Sequence, residues 1–153
     1  MEDVLLMKAL TIWQPWAELI IMGHKTFATR VWKPFYTYKR MAIHAAAYKR
    51  LPHELYMEIA SAIGIPPEKY NGSWLYYMEH RVTAGHFGAV LGTASIGRVL
   101  TSSEAIKTLS PKEVALGDYS PRRYAWELTD VEVFKKPIPA RGMQGLWEWG
   151  GPP

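Results

Sequence analysis

The segment GHKTFATR, residues 23–30, places cations and hydroxyls directly after the apolar run PWAELIIM. Lys25 and Arg30 flank a short stretch that also contains Thr26 and Thr29. A strand leaving a tight glycine turn is a poor place for charges that only solvate the surface. We therefore interpret these side chains as contacts to a polar or anionic ligand, for which ammonium, guanidinium and hydroxyl groups are suitable donors.

Aromatic and basic side chains also occur together elsewhere in the chain. Trp13, Gln14 and Trp16 precede this segment, and YSPRRYAW, residues 119–126, combines aromatic rings with arginines. Rings that stack on bases and cations that meet phosphates suit single-stranded nucleic acid. The alternative for each single tryptophan is a place in the core. The candidate nucleic-acid-binding residues are Trp13, Gln14, Trp16, Lys25, Thr26, Thr29, Arg30, Lys33, His44, Tyr119, Ser120, Arg122, Arg123 and Tyr124.

The positive charge is concentrated in the first third of the chain. Residues 1–50 hold eight Lys and Arg against three Asp and Glu, whereas the remainder holds ten against eleven. A basic region in an otherwise neutral protein suits an anionic partner such as nucleic acid. Solvated surface charge is the alternative, and charge alone does not separate the two.

The sequence lacks the common catalytic and cofactor signatures. With no cysteine in 153 residues, a disulfide framework and a thiolate metal site are excluded. The five histidines form no pair at metal-ligand spacing, and no glycine pattern matches a phosphate loop. We therefore expect no metal and no cofactor. Because signal-peptide features and a long apolar run are absent, we expect a cytoplasmic, intracellular protein with no membrane partner.

Periodicity and turn residues predict one α+β domain over residues 1–153, a small mixed β-barrel flanked by helices. Helices are expected to begin at Pro15 and Pro52, and two short helices follow the capping boxes of Thr101 with Glu104 and of Ser110 with Glu113. Residues 65–87 read as an insertion with one short helix around WLYYMEH, and KKPIPARG reads as a stiff turn. The predicted strands are KALTIW, TFATRVW, RMAIHAA, GAVLGTASIGRVL, RYAWELTDVEVF and GLWEW.

Two separated segments of the chain resemble one family. LTIWQPWAELIIMGHKTFATRVWK with AIHAAA, and the closing segment YSPRRYAWELTDVEVFKKPIPARGMQGLWEW, are similar to the ASCH (activating signal cointegrator homology) domain of the PUA-like superfamily. The similarity covers most of the chain apart from residues 65–87. It implies a PUA-like β-barrel with a cleft between the barrel and the first helix, where family members are thought to bind RNA or single-stranded nucleic acid.

The resemblance also assigns individual residues. The family pattern G-x-K-x-x-E-x-R places its lysine on Lys25 and its arginine on Arg30, whereas its glutamate falls on Ala28. Some small members act as enzymes, including amidohydrolases of N4-acylated cytidine, and nuclease activity has been suggested for others. In such an enzyme Lys25 would be catalytic, but the glutamate that could fix its charge or accept a proton is missing. Ala28 reflects either natural divergence toward binding or an engineered glutamate-to-alanine change.

The sequence favours a nucleic-acid-binding module, because the cations, hydroxyls and aromatic rings that binding needs are all present. The expected partner is single-stranded RNA or DNA, or a modified nucleoside. A small hydrolase acting on acylated cytidine or on RNA is the alternative, and Glu127 could then replace the missing carboxylate. A protein-interaction scaffold that uses the insertion is a third hypothesis.

Overall fold

A computed structural model describes residues 7–35, 39–49, 51–66 and 85–151 of the chain. The described part contains six strands and four helices in a mixed order. They are β1 (Lys8–Ile12), α1 (Trp16–Ile21), β2 (Phe27–Arg30), β3 (Arg40–Ala45), α2 (His53–Ala62), β4 (Ala89–Thr101), α3 (Ser102–Thr108), α4 (Pro111–Ala115), β5 (Tyr124–Pro139) and β6 (Leu146–Glu148).

The six strands form a single sheet in the order β2-β5-β4-β3-β1-β6. β1 and β3 run parallel, and the other neighbouring pairs are antiparallel. The outer strands β2 and β6 are not paired with each other, so the sheet is open in the described part of the chain. The sequence predicts a mixed β-barrel flanked by helices; the α+β class is confirmed, and the described strands form an open mixed sheet.

The main core lies between the sheet and α1. Buried aliphatic side chains from β1, β3 and β4 pack there around Trp126 of β5, which is completely buried. A second cluster joins Leu19 of α1 to Ile59 of α2 and to Leu116, just after α4. This cluster packs α2 against α1 and against the end of α4.

Glycine and capping residues end and begin the helices as the sequence predicts. Gly23 and Gly64 follow α1 and α2 with φ angles of 85°, the left-handed conformation that glycine adopts without strain. The Thr101–Glu104 capping box is complete at the start of α3. The Ser110–Glu113 box is only half formed, since the Ser110 hydroxyl accepts from the Glu113 amide while the Glu113 carboxylate bonds elsewhere.

The prediction of a turn at KKPIPARG is wrong over its first five residues. β5 continues to Pro139, and its last part pairs with the start of β4 at Ala89↔Pro139 and Val90↔Ile138. The proline-rich composition suggested a turn, but prolines are tolerated in a strand where their missing N–H groups are not needed for the ladder.

The remaining organisational predictions stay predictions. Most of the proposed insertion, including the expected helix around WLYYMEH, lies outside the described residues. In the part of the chain that the structure describes, no helix is both long enough and apolar enough to cross a membrane.

Candidate nucleic-acid-binding cleft

A cavity of about 600 Å³ is lined by residues of β1, β2 and α2 and by the segment that follows α4. Ligand sites for small molecules commonly span roughly 300–1,000 Å³. We call this cavity the cleft. It is lined by Thr11, Ile12, Trp13, Trp16, Lys25, Ala28, Thr29, Arg30, Leu55, Glu58, Ile59, Ala115, Leu116, Gly117, Asp118 and Arg123.

Lys25 is a buried cation in the wall of the cleft. Its side chain follows α1 and Gly23, and Nζ donates a hydrogen bond to the carbonyl oxygen of Leu116 at 2.6 Å. Burial lowers the pKa of Lys25 to about 8, against the opposing effect of the Glu113 carboxylate, and nearby Arg30 lowers it further. The amine is therefore mostly protonated at neutral pH and loses its charge under mildly alkaline conditions.

Arg30 is held at the cleft by backbone carbonyl groups. Its two terminal nitrogens donate to the carbonyl oxygens of Thr29 at 2.7 Å and of Thr11 at 3.1 Å. Burial, and then the charge of Arg123, lower the pKa of Arg30 to about 10, which leaves it charged at neutral pH. A guanidinium fixed in this way has further N–H groups with which to bind an anion.

Arg123 adds a third cation and is oriented by its neighbours. It donates to the carbonyl oxygens of Asp118 at 3.0 Å and of Thr29 at 3.3 Å, and the Asp118 carboxylate lies 3.6 Å away. These contacts join the segment before β5 to β2. Lys25 and Arg30, which are close in the sequence, and the distant Arg123 thus line one cavity.

Trp13 supplies an aromatic surface at the cleft. Half of its side chain is exposed (50%), unlike Trp126 in the core. The ammonium of Lys49 lies 4.2 Å from the centre of the Trp13 ring, a cation–π contact. An exposed ring beside cations is the arrangement that stacks on nucleobases.

Carboxylates also reach the cleft. Glu58 of α2 and Asp118 after α4 line the cavity, and both residues are exposed to solvent. Their presence gives the cleft mixed charge, with the cations on its sheet side and Glu58 on the facing helix. In the described part of the chain, no three His, Asp or Glu side chains are grouped so that they could hold a metal ion.

Comparison with known proteins identifies the family of this chain. A family model of the ASCH domain matches residues 10–138, most of the chain. The chain belongs to the ASCH domain family. The crystal structure of ASCH from Zymomonas mobilis is similar at 16% identity and a TM-score of 0.50, covering 86% of this chain and 72% of that chain. A serine-to-alanine mutant of that protein matches at 15% identity and a TM-score of 0.47, covering 89% and 75%. No curated protein sequence matches this chain.

Within this ASCH domain, six of the predicted binding residues lie in the cleft. Ala28, on which the family glutamate falls, is 2% exposed and also lines the cavity. A longer side chain at this position would extend toward the space that a ligand could occupy. The predicted residues in the cleft are Trp13, Trp16, Lys25, Thr29, Arg30 and Arg123.

Thr26 does not line the cleft but bonds to Glu113 of α4. Its hydroxyl and its amide both donate to Glu113 Oε1, at 2.7 and 2.9 Å, and the Phe27 amide donates to Oε2 at 3.3 Å. The first hydroxyl of the GHKTFATR segment, that of Thr26, is therefore used to join the start of β2 to α4. This bonding explains why the Glu113 side chain does not complete its capping box.

Gln14 and His44 are buried and do not line the cleft. The Gln14 amide donates to the carbonyl oxygen of His86 at 2.8 Å and accepts from the Glu18 backbone. The two nitrogens of the His44 ring contact Thr11 Oγ1 at 3.1 Å and the carbonyl oxygen of Ala140 at 2.6 Å. Since a carbonyl only accepts, Nε2 carries the proton and Nδ1 accepts from Thr11.

Most of the other predicted binding residues surround the start of β5 outside the cleft. Tyr119 is 6% exposed and packs on Phe27 in a separate apolar cluster. Ser120 donates to the Asp118 carboxylate at 2.7 Å. The remaining three, Lys33, Arg122 and Tyr124, do not line the cleft, and the Lys33 ammonium lies 5.3 Å from the centre of the Tyr124 ring.

Sequence reasoning missed the residues that α2 and α4 contribute to the cleft. Glu58 lies at an exposed position of α2, and helical periodicity alone could not show that this position borders a cavity. Glu127, considered as a substitute carboxylate, instead forms hydrogen bonds with Arg98 at 2.9 and 3.2 Å and does not line the cleft. Short sequence motifs carry no signal for such long-range arrangements.

Proposed function

We propose that this ASCH domain binds single-stranded RNA or DNA and takes one nucleotide of the strand into the cleft. The observation that carries the proposal is the convergence of Lys25, Arg30 and Arg123 with the half-exposed Trp13 on a cavity of about 600 Å³. Such a volume suits a single nucleotide rather than a folded partner.

Each component of the cleft has a matching part in a nucleotide. The three cations suit the phosphate oxygens, since charge-assisted hydrogen bonds are roughly twice as strong as neutral ones. The Trp13 ring suits a base, and such stacking contributes roughly 1–3 kcal/mol per base. The apolar contribution of Leu55 and Ile59 from α2 would shield the base from water.

Fluorescence anisotropy with labelled single-stranded RNA and DNA, at low and near-physiological salt, tests this proposal. We expect salt-sensitive binding that is weakened roughly tenfold or more by Lys25→Ala and by Trp13→Ala. An affinity that does not change with the salt concentration, or no binding to either strand, contradicts the proposal.

Neighbouring arginines provide a matched control. Arg123 lines the cleft and also a neighbouring pocket, whereas Arg122 lines only that neighbouring pocket, together with Ile106 and Tyr124. Arg123→Gln and Arg122→Gln remove the same charge from adjacent positions. We expect the first to weaken binding clearly more than the second. Equal losses would mean that the strand follows a general basic surface rather than the cleft.

A second candidate function is hydrolysis of an acylated cytidine or of RNA. It is favoured by the amine of Lys25, whose pKa of about 8 suits proton transfer, on the same cavity as the Glu58 and Asp118 carboxylates. Chromatography of N4-acetylcytidine incubated with the protein would detect release of cytidine. Turnover that is lost in Lys25→Ala supports hydrolysis. If neither the protein nor its Ala28→Glu variant releases cytidine, hydrolysis of acylated cytidine is excluded.

A further inference from the structure

A second cavity of about 610 Å³ lies next to the cleft, and the two share a wall. Thr11, Trp13 and Arg30 line both cavities. Beyond this wall the second cavity is bounded by Trp32, which follows β2, and by Met143 and Gln144, which precede β6. We call it the side cavity. No part of it belongs to α2 or α4.

The shared wall is rigid. The Arg30 guanidinium is fixed by the Thr11 and Thr29 carbonyl groups, and the Thr11 hydroxyl accepts from Trp147 Nε1 at 3.0 Å. A cation therefore stands between two adjacent cavities in a defined orientation. This is the arrangement needed to hold the phosphate that links two consecutive nucleotides, with one base on each side.

The far wall of the side cavity suits a base. Trp32 packs edge-on against the buried Trp126, with ring centres 4.8 Å apart and an interplanar angle of 80°, so that its position is fixed. Met143 is 58% exposed, and thioether sulfur makes favourable contacts with aromatic rings. The Gln144 amide offers both a donor and an acceptor for a base edge.

We propose that the side cavity receives the nucleotide adjacent to the one in the cleft, with their connecting phosphate at Arg30. The occupant is a second base of the same single strand, because the side cavity continues the proposed binding surface through the shared Arg30 and Trp13. This inference rests on the proposed function and adds a two-nucleotide footprint to it.

Dinucleotides test the inference directly. The probes are the four homodinucleotides and, for each, the two forms in which one residue lacks its base but keeps the phosphate. We expect the best homodinucleotide to bind roughly tenfold more tightly than either of its abasic forms, since one additional stacked base is worth about 1–3 kcal/mol. Calorimetric titration measures the affinities.

A matched pair of variants locates the second base. Met143→Glu places a negative charge at the side cavity, and Val133→Glu makes the same kind of change at an exposed position of β5 that lines neither cavity. We expect Met143→Glu to remove the advantage of the homodinucleotide and Val133→Glu to retain it. Methyl-labelled methionine provides a readout in the unaltered protein, because the Met143 methyl resonance should shift with the homodinucleotide and not with its abasic forms.

The outcomes separate this inference from the proposed function. If homodinucleotides and their abasic forms bind equally tightly and the binding needs Lys25, the side cavity holds no base and the cleft proposal stands. If neither dinucleotides nor longer strands bind, both proposals are overturned. A Met143 resonance that does not respond to a tightly bound homodinucleotide also overturns the second base site.

Discussion

Lys25 shows how burial and charge act against each other at a single residue. It is 5% exposed, yet it reaches the cleft and donates to the Leu116 carbonyl. Desolvation favours the neutral amine, whereas the Glu113 carboxylate favours the charged form, and the pKa of about 8 reflects both. The charge available to a phosphate in the cleft therefore depends on pH within an accessible range.

Binding of a single strand should weaken as the pH rises through 8. Lys25 is protonated below its pKa of about 8 and neutral above it, so an attraction to phosphate is lost between pH 7 and pH 9. A single strand of adenine nucleotides is the probe, because adenine does not ionise in this pH range. Fluorescence anisotropy measures the affinity of the protein for this strand. Lys25→Arg keeps the charge at every pH, and its affinity should stay level. A parallel decline in both proteins would exclude Lys25 as the cause.

The tryptophans show how far the sequence alone predicts the role of a single residue. Trp13, Trp16 and Trp126 had the same two possible roles, as ligand platforms or as core residues. The structure buries Trp126 completely, leaves Trp16 partly buried at the cleft and exposes half of Trp13. The difference depends on which side chains arrive from α2, β4 and β5, and the residues next to each tryptophan do not encode it.

At the scale of elements, Glu113 connects a short helix to a sheet edge. Three donors from the start of β2 bond to its buried carboxylate. Among the described residues β2 is an outer strand that pairs only with β5, so the Glu113 contact is a second attachment for its start. The position of Lys25, one residue before Thr26, depends on the same contact.

The two capping-box glutamates provide a comparison of buried and exposed contacts. Glu113→Ala should lower the free energy of unfolding by about 3 kcal/mol, because it leaves buried N–H and O–H donors without their acceptor. Glu104→Ala removes a carboxylate that caps α3 in solvent and should cost clearly less. Chemical denaturation measures both. Similar losses would mean that Glu113 serves only as a helix cap.

Helix ends that nearby residues determine were predicted well, whereas the length of a strand that depends on its pairing partner was not. Gly23 and Gly64 end their helices through their own backbone conformation. Thr101 begins α3 through hydrogen bonds with Glu104, three residues away, so the local sequence encodes all three helix ends. The continuation of β5 through KKPIP depends on the start of β4 as a partner, because β4 extends the ladder beyond the point where prolines suggest a turn. Local composition contains no information about that partner.

At the scale of the molecule, the charge distribution indicates the cleft but not its boundaries. Lys25 and Arg30 come from the basic first third, whereas Arg123 comes from a nearly neutral remainder. The sheet order places β2 beside β5, and this pairing brings Arg123 to Thr29. The facing carboxylate of Glu58 arrives with α2 through the cluster of Leu19 and Ile59. The site therefore depends on the topology of the whole domain.

The stability of the whole fold should depend on pH through His44, which joins β3 to β1 and to the segment before β6. Burial lowers the pKa of His44, and the hydrogen bond to the Ala140 carbonyl opposes this only in part. The unfolded chain therefore binds a proton at a higher pH than the folded protein does. The stabilisation by neutral His44 is complete above a pH of about 6.5, the pKa of histidine in the unfolded chain. It is lost as the pH falls below this value toward the lower pKa of His44 in the folded protein.

Denaturant unfolding at pH 7.0 and at pH 5.5 measures this effect. We expect the free energy of unfolding to decrease between these pH values, and His44→Gln to be less stable but to vary less with pH. The pKa of the partly exposed His24 is also lowered, by burial and by Lys112, so His24→Gln serves as the matched control. If His24→Gln removes the pH dependence and His44→Gln retains it, proton uptake at the surface is the cause. If His44→Gln alone flattens it, acid weakens the domain where β3 meets β1, because protonated Nδ1 can no longer accept from Thr11.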